Sequence, residues 1–399
     1  MLKTDNRQQT TDNRQQTTDN RQQTTDSRQQ TADSRQQTAD SRHTFCIISN
    51  IANVHLTKEL GPLALGMMTY HGYDSFIATY ENGDYLNLKY LPGVRMEFIP
   101  RISKNWIIDA CIWIAKNARR IDLFNIFHPI FKSFLFAFIY KLLNPKGKIY
   151  LKFDGAYRNT GRGSFWKRSL YRWLVKHSDC VSTELEGNDK LLSEDWGRKI
   201  ICVPNPILQN EIQPFRPFSE RSNTIFYAGR TEREKGTRTL LEAFANIAGQ
   251  IPEWTLKLAG RITEQDIVDD FHAVHPELRE RVIFTGEIRD RQTLMDMYRD
   301  AKIFAFPSRW ESFGIALTEA MMQGCFAVAT DIPSTRTLTE NFRYALGSPV
   351  DDVDGLAKNL LYACTHESEI EALAREGRDA TLKRCDLKRI CEVIAEGVM

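Results

Sequence analysis

The sequence has no uncharged hydrophobic run of the length that a membrane-spanning helix needs. Its most apolar stretch, residues 133–140, is bounded by Lys132 and Lys141. That stretch is too short to cross a bilayer, which takes roughly 20 apolar residues in a helix. The N-terminus is polar and repetitive, so it does not match the pattern of a secretory signal. We therefore expect no hydrophobic helix that spans a membrane.

The chain also lacks a strong net charge and the cysteine spacing of a metal site. Its formal net charge is +2, so no overall field favours nucleic acid, and we expect no nucleic-acid partner. None of the eight cysteines forms a C-x-x-C pair, and no histidine cluster completes a zinc pattern. We therefore predict mostly buried thiols in a reducing compartment, and neither a metal nor another cofactor.

The N-terminal segment lacks large apolar side chains beyond its first two residues. It repeats a seven-residue unit, as TDNRQQT three times, then TDSRQQT and ADSRQQT. A coiled coil needs two apolar positions in each heptad, and this repeat offers none larger than alanine. Such a segment cannot bury enough surface to offset the entropy of ordering. We predict a disordered tail over residues 1–43, either a flexible binding arm or a translated tandem repeat.

From residue 44 onward, short apolar strands alternate with helical patterns. Strands are predicted at 45–51, 74–80, 94–100, 121–127, 148–154, 180–185 and 199–205, and then at 224–229, 255–260, 282–288, 302–308 and 326–331. This alternation favours parallel, doubly wound sheets. We predict an α/β chain with Rossmann-like domains at 44–204 and 224–380, a linker at 205–223, and a C-terminal helix at 381–399. That helix is expected to pack back on the first domain.

The first segment that carries chemistry is FYAGRTEREKGTRTLLEAF. Its strand ends at Gly229, Arg230 follows at once, and Lys235 precedes the glycine that opens a helix. Ligands of parallel sheets bind at this carboxyl edge, where both cations can converge on an anion. The alternative is a solvated charged loop.

The second segment is SRWESFGIALTEAMMQG. Glu311 precedes a helix predicted to begin near Phe313, and Glu319 follows eight residues later, roughly 12 Å away if the interval is helical. Gly314 permits close backbone approach, and the amides of 313–316 can receive a phosphate. The alternative is that one carboxylate favours the helix dipole and the other is solvated.

Together, G-R-x4-K-G and E-x7-E resemble the family 4 glycosyltransferases, which have the GT-B fold. The resemblance covers roughly residues 45–390, and ESFGIALTEAMMQG matches the E-G-F-G-x-x-x-x-E-A-M-A-x-G pattern of that family at most positions. It implies two Rossmann-like domains that face each other across a cleft. It also implies a retaining sugar transfer from a nucleotide-diphosphate donor, without a metal ion.

The resemblance assigns a role to each matched residue. Arg230 and Lys235 would hold the donor diphosphate, Glu311 would meet the donor sugar, and Glu319 would hold the ribose. The remaining donor-binding positions that we predict are Gly229, Phe313, Gly314 and Ile315, which lie in the same two motifs.

The sequence departs from the family in two loops. The glycine pair expected after the first strand is missing, and Asn50, Asn53 and His55 stand nearby. Residues 332–334, Ile-Pro-Ser, replace the glycine pair expected after Thr330. In the family these two loops contact the donor sugar, so the departures affect the predicted contacts to that sugar.

The first domain contributes two candidates. His128 is predicted to be catalytic, near the sugar and together with Glu311, Arg230 and Lys235, and Asp154 is predicted on the acceptor side of the cleft. His128 ends a predicted strand in IDLFNIFHPIF and resembles the strand-end histidine of the family, with a capping histidine as the alternative. Asp154 in KFDGAYR ends the next strand and matches a position where the family often has an acid, with a turn-forming Asp-Gly as the alternative.

The segment GRGSFWKRSLYRWLVKH, residues 161–177, is basic and aromatic. Such a helix can lie on an anionic membrane, or its aromatic side chains can pack on the sheet while its cations face water. We predict a cytoplasmic enzyme with peripheral contact at the inner face of the membrane, which serves a glycan or lipid-linked acceptor in polysaccharide biosynthesis. The alternatives are a sugar-nucleotide epimerase of the same architecture and a non-catalytic nucleotide-sugar-binding protein.

Overall fold

The computed structural model describes residues 43–153 and 165–399. The predicted tail, apart from its last residue, and the acceptor-side candidate Asp154 lie outside the described residues. None of the described helices is both long enough and apolar enough to cross a bilayer.

Seven parallel strands form the sheet of the first domain, in the order β3-β2-β1-β4-β5-β6-β7. They are β1 Thr44–Ile48, β2 Asp74–Thr79, β3 Arg95–Phe98, β4 Leu123–Phe127, β5 Lys148–Phe153, β6 Cys180–Thr183 and β7 Ile201–Cys202. The strand order reverses between β1 and β4, so a crevice opens beyond the carboxyl ends of these two strands.

Helices cover both faces of this sheet. They are α1 Leu60–His71, α2 Trp106–Asn117, α3 Phe131–Leu143, α4 Phe165–His177 and α5 Asn188–Trp196. Apolar side chains of α2 to α5 pack into one core with the sheet, and α1 packs on the opposite face. Because both faces are covered, the central strands read as continuous apolar runs, which made them recognisable in the sequence.

The second domain has six parallel strands in the order β10-β9-β8-β11-β12-β13. They are β8 Ser222–Ala228, β9 Thr255–Ala259, β10 Val282–Gly286, β11 Ala301–Phe306, β12 Phe326–Thr330 and β13 Ala345–Ser348. The helices are α6 Thr237–Ile247, α7 Gln265–Val274, α8 Arg291–Asp300, α9 Ile315–Met322, α10 Pro333–Leu338, α11 Val353–Thr365 and α12 Glu367–Arg384. Two doubly wound domains confirm the predicted α/β fold class.

The chain passes between the domains twice. It leaves the first domain after β7, and it returns when α13, Leu387–Val398, follows α12. Ile390, Cys391 and Ile394 of α13 are buried in the core that α1 forms with the first sheet. The two passages are tied together, because the backbone N–H of Ile207 donates to the carbonyl oxygen of Cys385 at 3.0 Å.

Candidate functional site

The exit of β8 places Arg230 at the carboxyl edge of the second sheet. The amide of Gly229 donates to the carbonyl of Ala259 at 2.9 Å, and the Tyr227 hydroxyl donates to the carbonyl of Arg230 at 2.7 Å. These bonds fix the backbone, while the Arg230 side chain stays 58% exposed, with Nη2 3.0 Å from Oε1 of Glu232. The guanidinium is therefore held at the strand end and open to the cleft side of the loop.

Lys235 and Glu311 form an ion pair that joins the two predicted motifs. Lys235 Nζ donates to Glu311 Oε1 at 2.8 Å, and the Ser308 hydroxyl donates to the same oxygen at 2.9 Å. Their side chains are 19% and 17% exposed. Since β8 and β11 are neighbours, their loops meet where the order of the second sheet reverses.

Close backbone approach explains the glycine after Lys235. Gly236 has φ +67°, and a Cβ there would lie 2.0 Å from the carbonyl oxygen of Pro307. The amide of Arg309 also donates to the carbonyl of Glu234 at 3.0 Å. The loops after β8 and β11 therefore fit together only with a residue that lacks a side chain at this position.

Helix α9 begins at Ile315, two residues later than the sequence predicted. Gly314 takes a left-handed conformation with φ +99°, and the helix forms only after it. Phe313 is buried, and Glu311 lies in the non-helical turn before it. The condition for the predicted spacing of Glu311 and Glu319 is therefore not met, because three intervening positions, 312–314, are not helical.

Glu319 is buried in a network that the sequence did not indicate. Its Oε1 accepts from Arg291 Nη1 at 2.7 Å, and its Oε2 accepts from the Tyr298 hydroxyl at 3.1 Å. Arg291 also donates from Nε and Nη2 to both carboxylate oxygens of Glu211, each at 2.7 Å. One arginine thus bridges a linker carboxylate and the carboxylate predicted to bind ribose.

Burial and charge act in opposite directions on this network. Burial alone would lower the pKa of Arg291, but the charges of Glu319 and Glu211 raise it above its ordinary value. Burial raises the pKa of Glu211, although Arg291 draws it down. The Arg291 side chain therefore stays protonated and positively charged. Its loss would leave two buried carboxylates without their cation.

A small cleft lies between this network and the first domain. Its walls come from the start of α1, the linker and α9, and they include Thr57, Lys58, Asn205, Leu208, Glu211, Arg291, Phe313, Ile315, Thr318 and Glu319. Lys58 is a half-buried cation from the loop where the first glycine pair is missing. The two sheets therefore turn their carboxyl edges toward one shared space.

His128 follows β4 directly, at the crevice of the first sheet. Its φ is +59°, a left-handed conformation that is uncommon for a residue with a side chain. Its amide donates to the carbonyl of Lys152 at 2.8 Å, which keeps the histidine beside the end of β5. Nearby, burial lowers the pKa of His55, whose Nδ1 accepts from the Ala52 amide at 2.9 Å.

A second buried charge cluster lies at the ends of β5 and β6. Lys152 Nζ contacts Glu59 and donates to Asn205 Oδ1 at 2.5 Å, and it lies 3.8 Å from Glu184. Asn205 donates to Glu184 at 2.8 Å. The one sequence signal for this cluster is Lys152, a lysine inside an otherwise apolar strand. Its partners lie far away in the sequence, so the pairing could not be predicted.

No group of three His, Cys, Asp or Glu side chains in 43–153 and 165–399 is arranged to hold a metal ion. Two of the charged residues at the second-domain edge, Arg230 and Lys235, are cations suited to an anion.

Residues 209–380 match the family model described as glycosyl transferases group 1. Among curated proteins, the glycogen synthase of Mycobacterium tuberculosis is 26% identical over 230 residues, which cover 56% of this chain and 55% of the relative. The lipopolysaccharide core mannosyltransferase LpcC of Rhizobium leguminosarum is 27% identical, over 40% of this chain and 47% of the relative. The chain thus aligns with about half the length of these relatives.

Solved structures match over a greater length. The Anabaena protein Alr3699/HepE, in complex with UDP and glucose, superposes with a TM-score of 0.70 at 16% identity and covers 89% of this chain and 99% of that one. A glycosyltransferase of Rickettsia africae superposes with a TM-score of 0.72 at 14% identity, over 89% and 97%. The chain therefore has the GT-B fold, as the motifs around Arg230 and Glu311 predicted, and its residues 209–380 are similar to glycosyl transferases group 1.

Proposed function

We propose that this protein transfers a sugar from a nucleotide-diphosphate donor to a glycan or lipid-linked acceptor, with retention at the anomeric carbon. The observation that carries the proposal is the Lys235–Glu311 pair, which joins both motifs at the reversal point of the second sheet. A cation for the diphosphate and a carboxylate for the sugar lie side by side there, as such a donor requires.

Charge development on the leaving group explains the two cations. As the bond between the anomeric carbon and the diphosphate oxygen breaks, its electron pair stays on the diphosphate. The acceptor hydroxyl forms the new bond to that carbon on the face from which the diphosphate departs, and its proton passes to the departing diphosphate oxygen. Arg230 and Lys235, already fixed at the strand edge, stabilise the growing negative charge without rearrangement, so the proposed reaction needs no metal ion.

The donor shares these cations with protein carboxylates. Arg230 lies beside Glu232 and Lys235 beside Glu311 before the donor arrives. The carboxylates keep each cation oriented, and Glu311 is placed to accept a hydrogen bond from a sugar hydroxyl. Phe313, Gly314 and Ile315 present the backbone next to them, where a helix N-terminus favours phosphate.

Glu319 retains capacity for a ribose although it is already bonded. A carboxylate offers about four lone-pair sites, and Arg291 and Tyr298 occupy one on each oxygen of Glu319. Because Glu319 lines the same cleft as Phe313 and Ile315, a ribose that enters beside the diphosphate meets it there.

The acceptor side belongs to the first domain. His128 stands at the end of β4, and we assign it to catalysis near the sugar and Asp154 to the acceptor side. Lipopolysaccharide core and phosphatidylinositol mannosyltransferases are among the relatives, which supports a lipid-linked acceptor. We propose a cytoplasmic protein that contacts the inner face of the membrane through helix α4.

Donor binding and product analysis test the proposal in sequence. A panel of nucleoside diphosphates and nucleotide sugars, headed by UDP because the Anabaena neighbour binds it, should raise the melting temperature for the matching base. Labelled donor should then yield a transfer product with a candidate acceptor. An isomerised donor would identify an epimerase, and binding without any product would identify a sugar-nucleotide-binding protein.

A further inference from the structure

Helix α3 turns a ridge of large apolar side chains to the outside. Its inner face packs through Phe136, Ala137 and other buried residues on the sheet. On the opposite side, Phe131, Phe138 and Leu142 are 51%, 44% and 67% exposed. Spacings of seven and four residues place these three on one side of a helix. A continuous apolar ridge on the surface indicates an interaction site more often than chance exposure.

Helix α4 lies beside this ridge and faces the same way. The Trp173 ring of α4 lies 5.4 Å from the Phe134 ring and 5.7 Å from the Phe138 ring of α3. Both helices bury their inner faces in one core, so their outer faces form one surface. Trp166, two turns before Trp173 on the same side of α4, is 77% exposed.

The charged side chains that α3 and α4 contribute to this surface are all basic. Lys167, Arg172 and Lys176 of α4 are exposed, and neither α3 nor α4 contains an acidic residue. Among the described residues, no carboxylate lies within ion-pair distance of these three cations, whereas Arg168 is paired with Asp195 of α5 at 2.9 Å. The acidic residues of α5 therefore mark the border of the basic surface.

We propose that the outer faces of α3 and α4 form a lipid-docking surface for an anionic bilayer. The ridge of Phe131, Phe138 and Leu142, together with Trp166, enters the boundary between headgroups and acyl chains. Arg172 and Lys176, four residues apart on the outer side of α4, contact the lipid phosphates. Apolar residues flanked by cations on one side of a helix pair are the combination that holds a protein in this interface.

Like charge makes a second copy of the chain a poor occupant. A symmetric contact through this surface would bring the cations of two α4 helices together, which is unfavourable. An anionic lipid surface satisfies the cations and the apolar ridge at once, and it does not require a partner shaped to match.

Docking in this way would bring the cleft to the membrane. The first turns of α3 and α4 follow β4 and β5, so Phe131 and Trp166 lie toward the same sheet edge as His128. A lipid-linked acceptor held in the bilayer would then reach the first-domain side of the cleft. This consequence rests on the proposed sugar transfer, but lipid docking itself does not.

Vesicle sedimentation with the full chain tests the surface directly. The parent protein should bind phosphatidylcholine vesicles that contain phosphatidylglycerol, and it should not bind vesicles of phosphatidylcholine alone. Arg172→Gln with Lys176→Gln should weaken binding about fivefold for each charge removed, or about 25-fold together. Phe131→Ser with Leu142→Ser should weaken binding at least about tenfold, because exposed apolar surface no longer enters the bilayer.

Matched substitutions on the second domain provide the controls. Arg279→Gln with Lys358→Gln removes two exposed cations, and Val274→Ser removes an exposed apolar side chain. These variants should bind vesicles as the parent does. The proposal is overturned if the parent binds neither vesicle or if the charge variant binds like the parent. It is also overturned if the apolar variant keeps full binding, since the cations alone would then suffice. A melting-temperature shift with UDP, measured on every variant, reports the donor site independently of the bilayer.

Discussion

At the scale of single residues, the two donor-side cations differ in how the protein holds them. Lys235 is largely buried against Glu311 and Ser308, whereas more than half of the Arg230 side chain is exposed. Both lie on the loop that leaves β8. Their residue types and spacing were recognisable in the sequence because the loop is short and the strand before it ends in an apolar run, residues 225–228.

Replacing either cation should slow turnover more than it harms folding. For Arg230→Ala and Lys235→Ala we expect kcat to fall about 100- to 1,000-fold, the usual effect of removing one preorganised charge-stabilising group. The double variant should lose less than the product of the single losses, because both cations act on one leaving group. Steady-state kinetics at saturating donor measures this.

Arg233 in the same loop is the matched control. Its guanidinium contacts Glu264 and Asp266 instead of Glu311. Arg233→Ala should therefore keep most of the activity. Normal turnover in both cation variants, or an equal loss in Arg233→Ala, would place the diphosphate elsewhere.

Arg291 was not recognised, and its substitution should damage the fold. Its partners lie 80 and 28 positions away in the sequence, so no local pattern announces the bridge. Arg291→Met leaves Glu211 and Glu319 buried without their cation, which costs about 3–5 kcal/mol of unfolding free energy. The exposed pair Arg261–Glu287 is the comparison, and Arg261→Met should cost less than about 1 kcal/mol. Urea unfolding compares them, and equal losses would contradict a supporting role for Arg291.

At the scale of elements, the sequence predicted the strands well and the turns poorly. Buried parallel strands are apolar throughout, so the centres of both sheets were evident. The strand β13, Ala345–Ser348, was missed because it contains glycine and serine and has no apolar run. The predicted start of α9 was wrong because Gly314 has a left-handed conformation, φ +99°, so the helix begins only at Ile315.

Two glycines have the same backbone conformation but different surroundings. Comparing them distinguishes the cost of the left-handed conformation from the cost of a steric clash. Gly72 and Gly236 have φ of +69° and +67°, yet a Cβ at Gly72 meets nothing within 4 Å, whereas one at Gly236 meets the Pro307 carbonyl. Gly72→Ala should cost about 1 kcal/mol for the left-handed conformation alone. Gly236→Ala should cost clearly more and should also weaken donor binding, because the loop that carries Lys235 must shift. Equal melting temperatures and equal donor affinities for the two variants would contradict the close approach.

At the scale of the whole molecule, the eight thiols are shielded by the two cores. Six are buried, and Cys111 and Cys202 are half-buried. Burial raises the pKa of Cys202 to about 12, so its thiolate is scarce at neutral pH. With a thiol reagent at pH 8 we expect at most two thiols of the native protein to react, and those slowly, against eight after denaturation. Rapid reaction of three or more would show that a core is open.

Chelation tests the proposed chemistry of the whole site. Since two fixed cations serve the diphosphate, turnover should be the same with and without EDTA. Donor binding, followed by the melting-temperature shift, should be unchanged as well. Inactivation by EDTA that manganese reverses would instead require a metal ion between the diphosphate and the protein.

The double passage of the chain between the domains limits how they can move. With a single connection, the two domains could rotate relative to each other about any axis. Here two adjacent connecting segments are hydrogen-bonded between Ile207 and Cys385, which leaves chiefly one rotation axis. The two domains would then open and close along the same path in every catalytic cycle. Each closure would return Lys58 to the same position across the cleft from Phe313 and Ile315, which is the positional repeatability that a reaction between two bound substrates demands.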